Sequence, residues 1–129
     1  MNPRILIVDD NPTNLKLASD LLEWEGYVVE KAVDAEHAQV LLKDMTPDLI
    51  LMDIALPGMD GLTLTRKLKS EERLKHIPVV ALTAFAMKGD DLKALQAGCA
   101  GYITKPIDTR RLAQQVQDFL QRHDGREST

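Results

Sequence analysis

Five side chains of this sequence could do chemistry together: Asp9, Asp10, Asp53, Thr83 and Lys105. Asp53 ends the run Asp48-Leu49-Ile50-Leu51-Met52-Asp53, and the loop after it, Ile54 to Gly61, is broken by Pro57, Gly58 and Gly61. An apolar run without polar alternation is what a strand buried on both faces looks like. A carboxylate closing such a strand needs water, a cation or a partner to stay charged. Taken singly, the other four have ordinary explanations: an acidic pair before a helix caps it, a Thr ending a strand turns the chain, and a Lys-Pro is solvated. Gathered at one place they read differently. Three carboxylates in one crevice repel, and a hard divalent cation with oxygen ligands resolves the repulsion most simply. Magnesium suits, because it takes a few carboxylates, keeps waters and recruits phosphate oxygens. Lys105 adds an ammonium that binds an anion as a point charge, and Thr83 adds a hydroxyl donor. Carboxylate nucleophile, divalent metal, ammonium and hydroxyl make up a phosphoryl-transfer site.

The elements that must gather them can be read in chain order. Arg4 to Val8 is a short, all-apolar strand ending at Asp9-Asp10, with Asn11 as helix cap and Pro12 at the first helical position. Leu15, Ala18, Leu21 and Leu22 recur at helical spacing from Thr13 to Glu25, and Gly26 stops the helix. Tyr27 to Ala32 is a weaker, more polar strand near a sheet edge. Asp34 caps a second helix with Ala38, Leu41, Leu42 and Met45 inward, ended by Pro47. The Asp53 strand follows, then a helix over Leu62 to Lys69 and a charged connection from Ser70 to His76. Pro78 to Leu82 is the fourth strand, ending in Thr83-Ala84. A helix from Asp90 or Asp91 carries Leu92 and Leu95 and stops at Gly98. A brief fifth strand, Gly101 to Ile103, leads into Thr104-Lys105-Pro106. Asp108 or Thr109 then caps a last helix with Leu112, Val116, Phe119 and Leu120 on one face.

Five strands alternating with five helices through short loops predict an α/β fold, a (βα)5 doubly wound parallel sheet covered on both faces. Right-handed crossovers make the flavodoxin-like strand order 2-1-3-4-5 the simplest arrangement. In such a sheet every strand's carboxyl end lies on one edge, where ligands bind. That edge is where Asp9, Asp10, Asp53, Thr83 and Lys105 all fall.

On these residues the sequence resembles a bacterial two-component response-regulator receiver domain from Pro3 to Leu120. The motifs are Asp9-Asp10, Leu51-Met52-Asp53 with Leu56-Pro57-Gly58-Met59-Asp60-Gly61, Thr83-Ala84 and Lys105-Pro106. Within that family, Ile77 to Asp90 is most similar to stand-alone regulators of the cell-division type and to receiver modules of hybrid kinases. The resemblance implies that Asp53 takes a phosphoryl group from a sensor histidine kinase or a histidine phosphotransfer protein. It implies Mg²⁺ (or Mn²⁺) on Asp10, Asp53 and the Ala55 backbone carbonyl, with Asp9 holding one of its waters. Lys105 would pair with the phosphoryl group, across a cis bond to Pro106. Thr83 would bond a phosphoryl oxygen and Tyr102 would turn inward, reshaping the surface of the fourth helix, fifth strand and fifth helix for a downstream protein target. Ala55 and Phe85 lie where members of the family vary and tune dephosphorylation.

The chain as a whole fits that expectation. Its 129 residues make one domain, read as 1–123 with a disordered polar tail at 124–129. A net charge of −4 and a pI near 5.3 argue against a nucleic-acid or anionic-membrane surface. The single cysteine, Cys99, excludes an internal disulfide and a cysteine metal cluster and reads as a small buried filler. With no signal-peptide pattern and no run long enough to span a membrane, a cytoplasmic location is expected, as a monomer or weak dimer. Trp24 has two readings. It closes against Tyr27 or the last helix, or it is a contact aromatic for a kinase or a second subunit. The Met1 start and the polar tail favour a complete small protein. The close of the chain just after the last helix leaves its output to protein contact or to passing the phosphoryl group onward, the leading reading being a regulator that signals by contact. A phosphorelay carrier, or a receiver excised from a hybrid kinase, are the alternatives. A magnesium-dependent phosphatase using Asp53 is disfavoured, since such enzymes carry a second acid where Ala55 stands. A pseudo-receiver is disfavoured because none of the acids, Thr83 or Lys105 is missing.

Overall fold

A computed structural model of the chain describes residues 2–56, 58–84 and 89–128, and of residues 90, 91 and 123–128 the backbone alone. Ten elements alternate: β1 (Arg4–Val8), α1 (Pro12–Trp24), β2 (Val28–Ala32), α2 (Ala35–Leu42), β3 (Leu49–Asp53), α3 (Gly61–Lys69), β4 (Val79–Thr83), α4 (Asp90–Ala97), β5 (Gly101–Thr104) and α5 (Leu112–Ser128). The strands form one parallel sheet in the order β2-β1-β3-β4-β5. The expected doubly wound topology is therefore observed, with the more polar β2 on an edge.

Alternation of side chains along each strand divides the interior into two cores, one on each face of the sheet. Ile5, Ile7, Leu49, Leu51, Val80 and Leu82 meet α1 and α5 through Leu15, Leu22, Leu112 and Val116. Leu6, Val8, Ile50, Met52, Val79 and Ala81 meet α2, α3 and α4 through Ala38, Leu42, Leu64, Leu68 and Ala94. Every residue of β3 and β4 is buried, which is why neither shows polar alternation. Each large side chain so removed from water contributes about 1.5–3 kcal/mol.

The starts of α1, α2 and α3 are set by short acceptor side chains. The Asn11 side chain accepts from the N–H groups of Thr13 and Asn14, with Pro12 at the first turn. Asp34 accepts from His37 N at 2.7 Å and Asp60 from Thr63 N at 2.8 Å. Capping by Asp60 starts α3 one residue earlier than expected. At the opposite edge of the sheet, the Arg73 guanidinium donates to the carbonyls of Leu42 and Met45 and to Thr46, tying the end of α2 to the α3–β4 connection.

Three features differ from the sequence reading. Trp24 does not close against Tyr27 or the last helix but stands 88% exposed. On α4 the inward residues are Ala94 and Ala97, while Leu92 and Leu95 face solvent. The face of α4 toward α3 and β4 is filled by alanine, so the larger side chains sit on the other side. The polar stretch from Asp124 is continuous with α5, which extends to Ser128. Phe85 falls outside the described residues; Gly89 stands before α4 with φ +91°.

Candidate functional site: an acidic crevice at the carboxyl edge of the sheet

β1 and β3 are neighbours in register, Val8 beside Met52, so the residues that follow them emerge together. Asp9 and Asp53 are almost fully buried, while Asp10 is exposed at the rim. One carboxylate oxygen from each of the three lies within 4.8 Å of the other two. Lys105, following β5, reaches across β4 to put its Nζ 2.9 Å from Asp53 Oδ2 and 3.4 Å from Asp9 Oδ2. The Lys105–Pro106 peptide bond is cis.

Each buried acid is pinned by a backbone N–H two residues on. Asn11 N donates to Asp9 Oδ1 at 2.9 Å, and Ala55 N donates to Asp53 Oδ1 at 2.9 Å. These short turns fix one oxygen of each carboxylate and leave the other facing the crevice. Asp53 Oδ2 takes the lysine hydrogen bond; Asp9 Oδ2 is buried and accepts no hydrogen bond, its contact with Lys105 being an ion pair at a longer distance. Thr83 is buried at the end of β4, and its carbonyl accepts the Lys105 backbone N–H at 2.8 Å. The strand bearing the hydroxyl and the residue bearing the ammonium are thus directly joined.

Three carboxylates against one ammonium leave the crevice with excess negative charge. Burial raises the Asp9 carboxyl pKa; the Asn11 N–H and the Lys105 charge oppose that rise, and the neighbouring Asp53 adds to it. For Lys105, burial works against the ammonium, but the hydrogen bond and charge of Asp53, with the charge of Asp9, outweigh it and raise the pKa. An unbonded buried oxygen beside two further carboxylates is the donor set of a hard divalent cation, so these residues fit magnesium.

Gly61, named in the sequence only as a loop and motif residue, is a positioning residue. A Cβ there would land on the Asp53 carbonyl oxygen and lie 2.9 Å from both the Asp53 carbonyl carbon and Ile54 Cα. Only glycine lets α3 begin directly under the end of β3. Its sequence signal was its place four residues after Pro57, in a loop already rich in turn residues. The Asn11 backbone was missed in the same way, because its side-chain cap explained it.

The remaining expected residues lie elsewhere. Ala55 is at the rim, exposed. Tyr102, on β5 in register with Ala81, is 39% exposed; Leu92 and Leu95 are exposed on α4, which packs against β5. Trp24 is at the far end of α1, about 20 Å along the helix axis from its first residue, and belongs to the opposite edge of the sheet.

Comparison with known proteins bears on this arrangement. The family model described as response regulator receiver domain matches residues 5–117. The polar-differentiation response regulator DivK of Brucella ovis is 46% identical over 120 residues, covering 93% of this chain and 98% of that protein. The receiver domain of a signal transduction histidine kinase from Syntrophus aciditrophicus superposes with a TM-score of 0.84 at 37% identity, covering 92% of this chain and 90% of its own. A receiver domain from Methanospirillum hungatei, described as CheY-like, superposes with a TM-score of 0.88 at 31% identity, covering 98% of this chain and 99% of its own.

Proposed function

The chain belongs to the response-regulator receiver family, and on that premise we propose that Asp53 is its phosphoacceptor. The observation that carries this is the pairing of a buried Asp53, one oxygen held by Ala55 N, with the Lys105 ammonium on its other oxygen. A carboxylate oxygen of Asp53 attacks the phosphorus of a phosphohistidine. The new P–O bond forms as the P–N bond breaks, and the imidazole leaves with the electron pair and takes up a proton. Asp10, Asp53 and the Ala55 carbonyl would hold Mg²⁺, with Asp9 on one of its waters. The ion supplies charge neutralisation for the transferring group. Lys105, already beside Asp53, pairs with the phosphoryl oxygens, and the Thr83 hydroxyl donates to one of them.

Output follows from the same edge. A phosphoryl group that draws the Thr83 hydroxyl toward Asp53 leaves room for Tyr102 to turn inward, a two-state change driven by local charge. The surface formed by α4 and β5 exposes Leu92, Leu95 and Tyr102. Exposed apolar side chains there favour a regulator that docks a protein target over a bare relay carrier. The chain turns over only its own phosphoryl group, receives it from a sensor histidine kinase or histidine phosphotransfer protein, and works in the cytoplasm.

Intact-mass measurement after incubation with Mg²⁺ and acetyl phosphate tests the reading. One phosphoryl adduct is expected in the wild type, lost in Asp53→Asn and suppressed by EDTA. A wild type that takes no adduct, or an Asp53→Asn variant that takes it equally well, would refute it.

A further inference from the structure

Trp24 is the most exposed large apolar side chain among the described residues, at the last turn of α1. The face it stands on mixes apolar and polar side chains. Leu15, Ala18, Ser19 and Leu22 turn inward, so at about 3.6 residues per turn Thr13, Leu17, Asp20 and Trp24 form the opposite, outward row. Their spacing of four, three and four residues is that of a helix-pairing seam. The first half of this face carries a shallow groove of about 460 Å³, lined by Pro12, Thr13, Lys16, Leu17 and Asp20. Projection and groove therefore occupy opposite ends of one helix, separated by roughly 12 Å along its axis.

We infer that α1 is a self-association surface, on which two copies pair their α1 helices antiparallel about a two-fold axis and each seats its Trp24 indole in the other's Pro12–Leu17 groove. A two-fold interface needs a self-complementary patch, and a projection and a recess on one helix supply it. Charge selects the same partner. Lys16, the single cation of α1, lies in the groove half, while Glu23 and Glu25 flank Trp24. Antiparallel pairing sets Lys16 of one copy beside Glu23 of the other, on the same flank of the row, brings its ammonium to the indole face, and opposes the two helix dipoles. A parallel pairing would instead align like charges. One contact works against association. The row places Asp20 near the axis, facing Asp20 of the second copy, and the Lys16–Asp20 ion pair at 2.7 Å offsets this only in part. One helix per copy also buries less than the roughly 1,200 Å² of stable interfaces, so the pairing is weak and concentration-dependent.

Trp24 is the sole tryptophan and reports on its own burial. With the full chain raised from low micromolar to near-millimolar concentration, its emission shifts to the blue and acrylamide quenching falls as sedimentation velocity shows monomer passing to dimer. Trp24→Ala raises the dissociation constant about tenfold or more with an unchanged circular dichroism spectrum. Asp20→Asn lowers the constant, a gain that damage to the fold could not imitate. A chain that stays monomeric at every concentration with Trp24 fully quenchable would overturn the proposal and leave the face to a different protein. A dimer indifferent to both substitutions would overturn it by placing the contact elsewhere. Neither result depends on whether Asp53 is phosphorylated.

Discussion

The carboxyl edge of the sheet and the outer faces of the helices invert the usual distribution of side chains. At the edge, Asp9, Asp53 and Thr83 are polar and buried; on α1 and α4, Trp24, Leu92 and Leu95 are apolar and exposed. Both departures cost stability, in opposite ways. Buried acids are held in place by N–H groups two residues on and by one lysine, and their excess charge calls for a cation. Exposed apolar groups have no such restraint and call for another protein. The first region stores its requirement inside the molecule; the second presents its requirement outward. On the proposed function, their separation would confine the chemistry to Asp53 and leave its readout to contact.

Breaking the ion pair should have the largest effect on stability. In Lys105→Met, without metal, three carboxylates face one another with no counterion, and urea denaturation should show a loss of about 3 kcal/mol. Mg²⁺ should return much of that loss. If the variant matches wild type in EDTA, the crevice is not the strained region described above.

A smaller effect of opposite sign sharpens the comparison. The pKa of Asp9 is raised in the folded chain, so between the unfolded and folded values the folded state binds more protons and stability falls as pH rises. In metal-free protein Asp9→Asn should therefore melt above wild type at pH 7, and the difference should vanish as pH drops below the carboxyl range. Mg²⁺ should narrow or reverse the difference by stabilising the wild type more than the variant, which keeps Asp10 and Asp53. A melting difference that is constant with pH would contradict the assignment. The smallest effect belongs to the other region: Trp24→Ala should change monomer stability by less than about 0.5 kcal/mol.

These regions were also unequally legible in the sequence. Strand ends could be read because a buried parallel strand is a continuous apolar run, and an acid, Thr or Lys closing it marks the edge without reference to distant contacts. The caps at Asn11 and Asp34 were legible for the same local reason. The inward stripe of α1 was legible too, through Leu15, Ala18 and Leu22, but the facing of α4 and the exposure of Trp24 were not. Whether a large apolar residue turns inward depends on the room its neighbours leave, and at α4 that room was filled by Ala94 and Ala97, leaving Leu92 and Leu95 outside. Trp24 misled in the same way, since size and hydrophobicity suggested closure against Tyr27. Gly61 was hidden because its role is a missing Cβ under the Asp53 carbonyl, a contact visible only once α3 is docked below β3.

Amide chemical shifts on titration with Mg²⁺ and beryllofluoride test the central claim most directly, because they follow both regions at once. Saturable shifts are predicted first at Asp9, Asp10, Ala55 and Lys105, extending to Thr83, Tyr102 and Leu95. At a concentration where the chain is monomeric, the Trp24 indole should stay still. Shifts confined to the acidic loops, or none in the presence of both reagents, would contradict a crevice that is built to take a phosphoryl group and pass its arrival to the outer face.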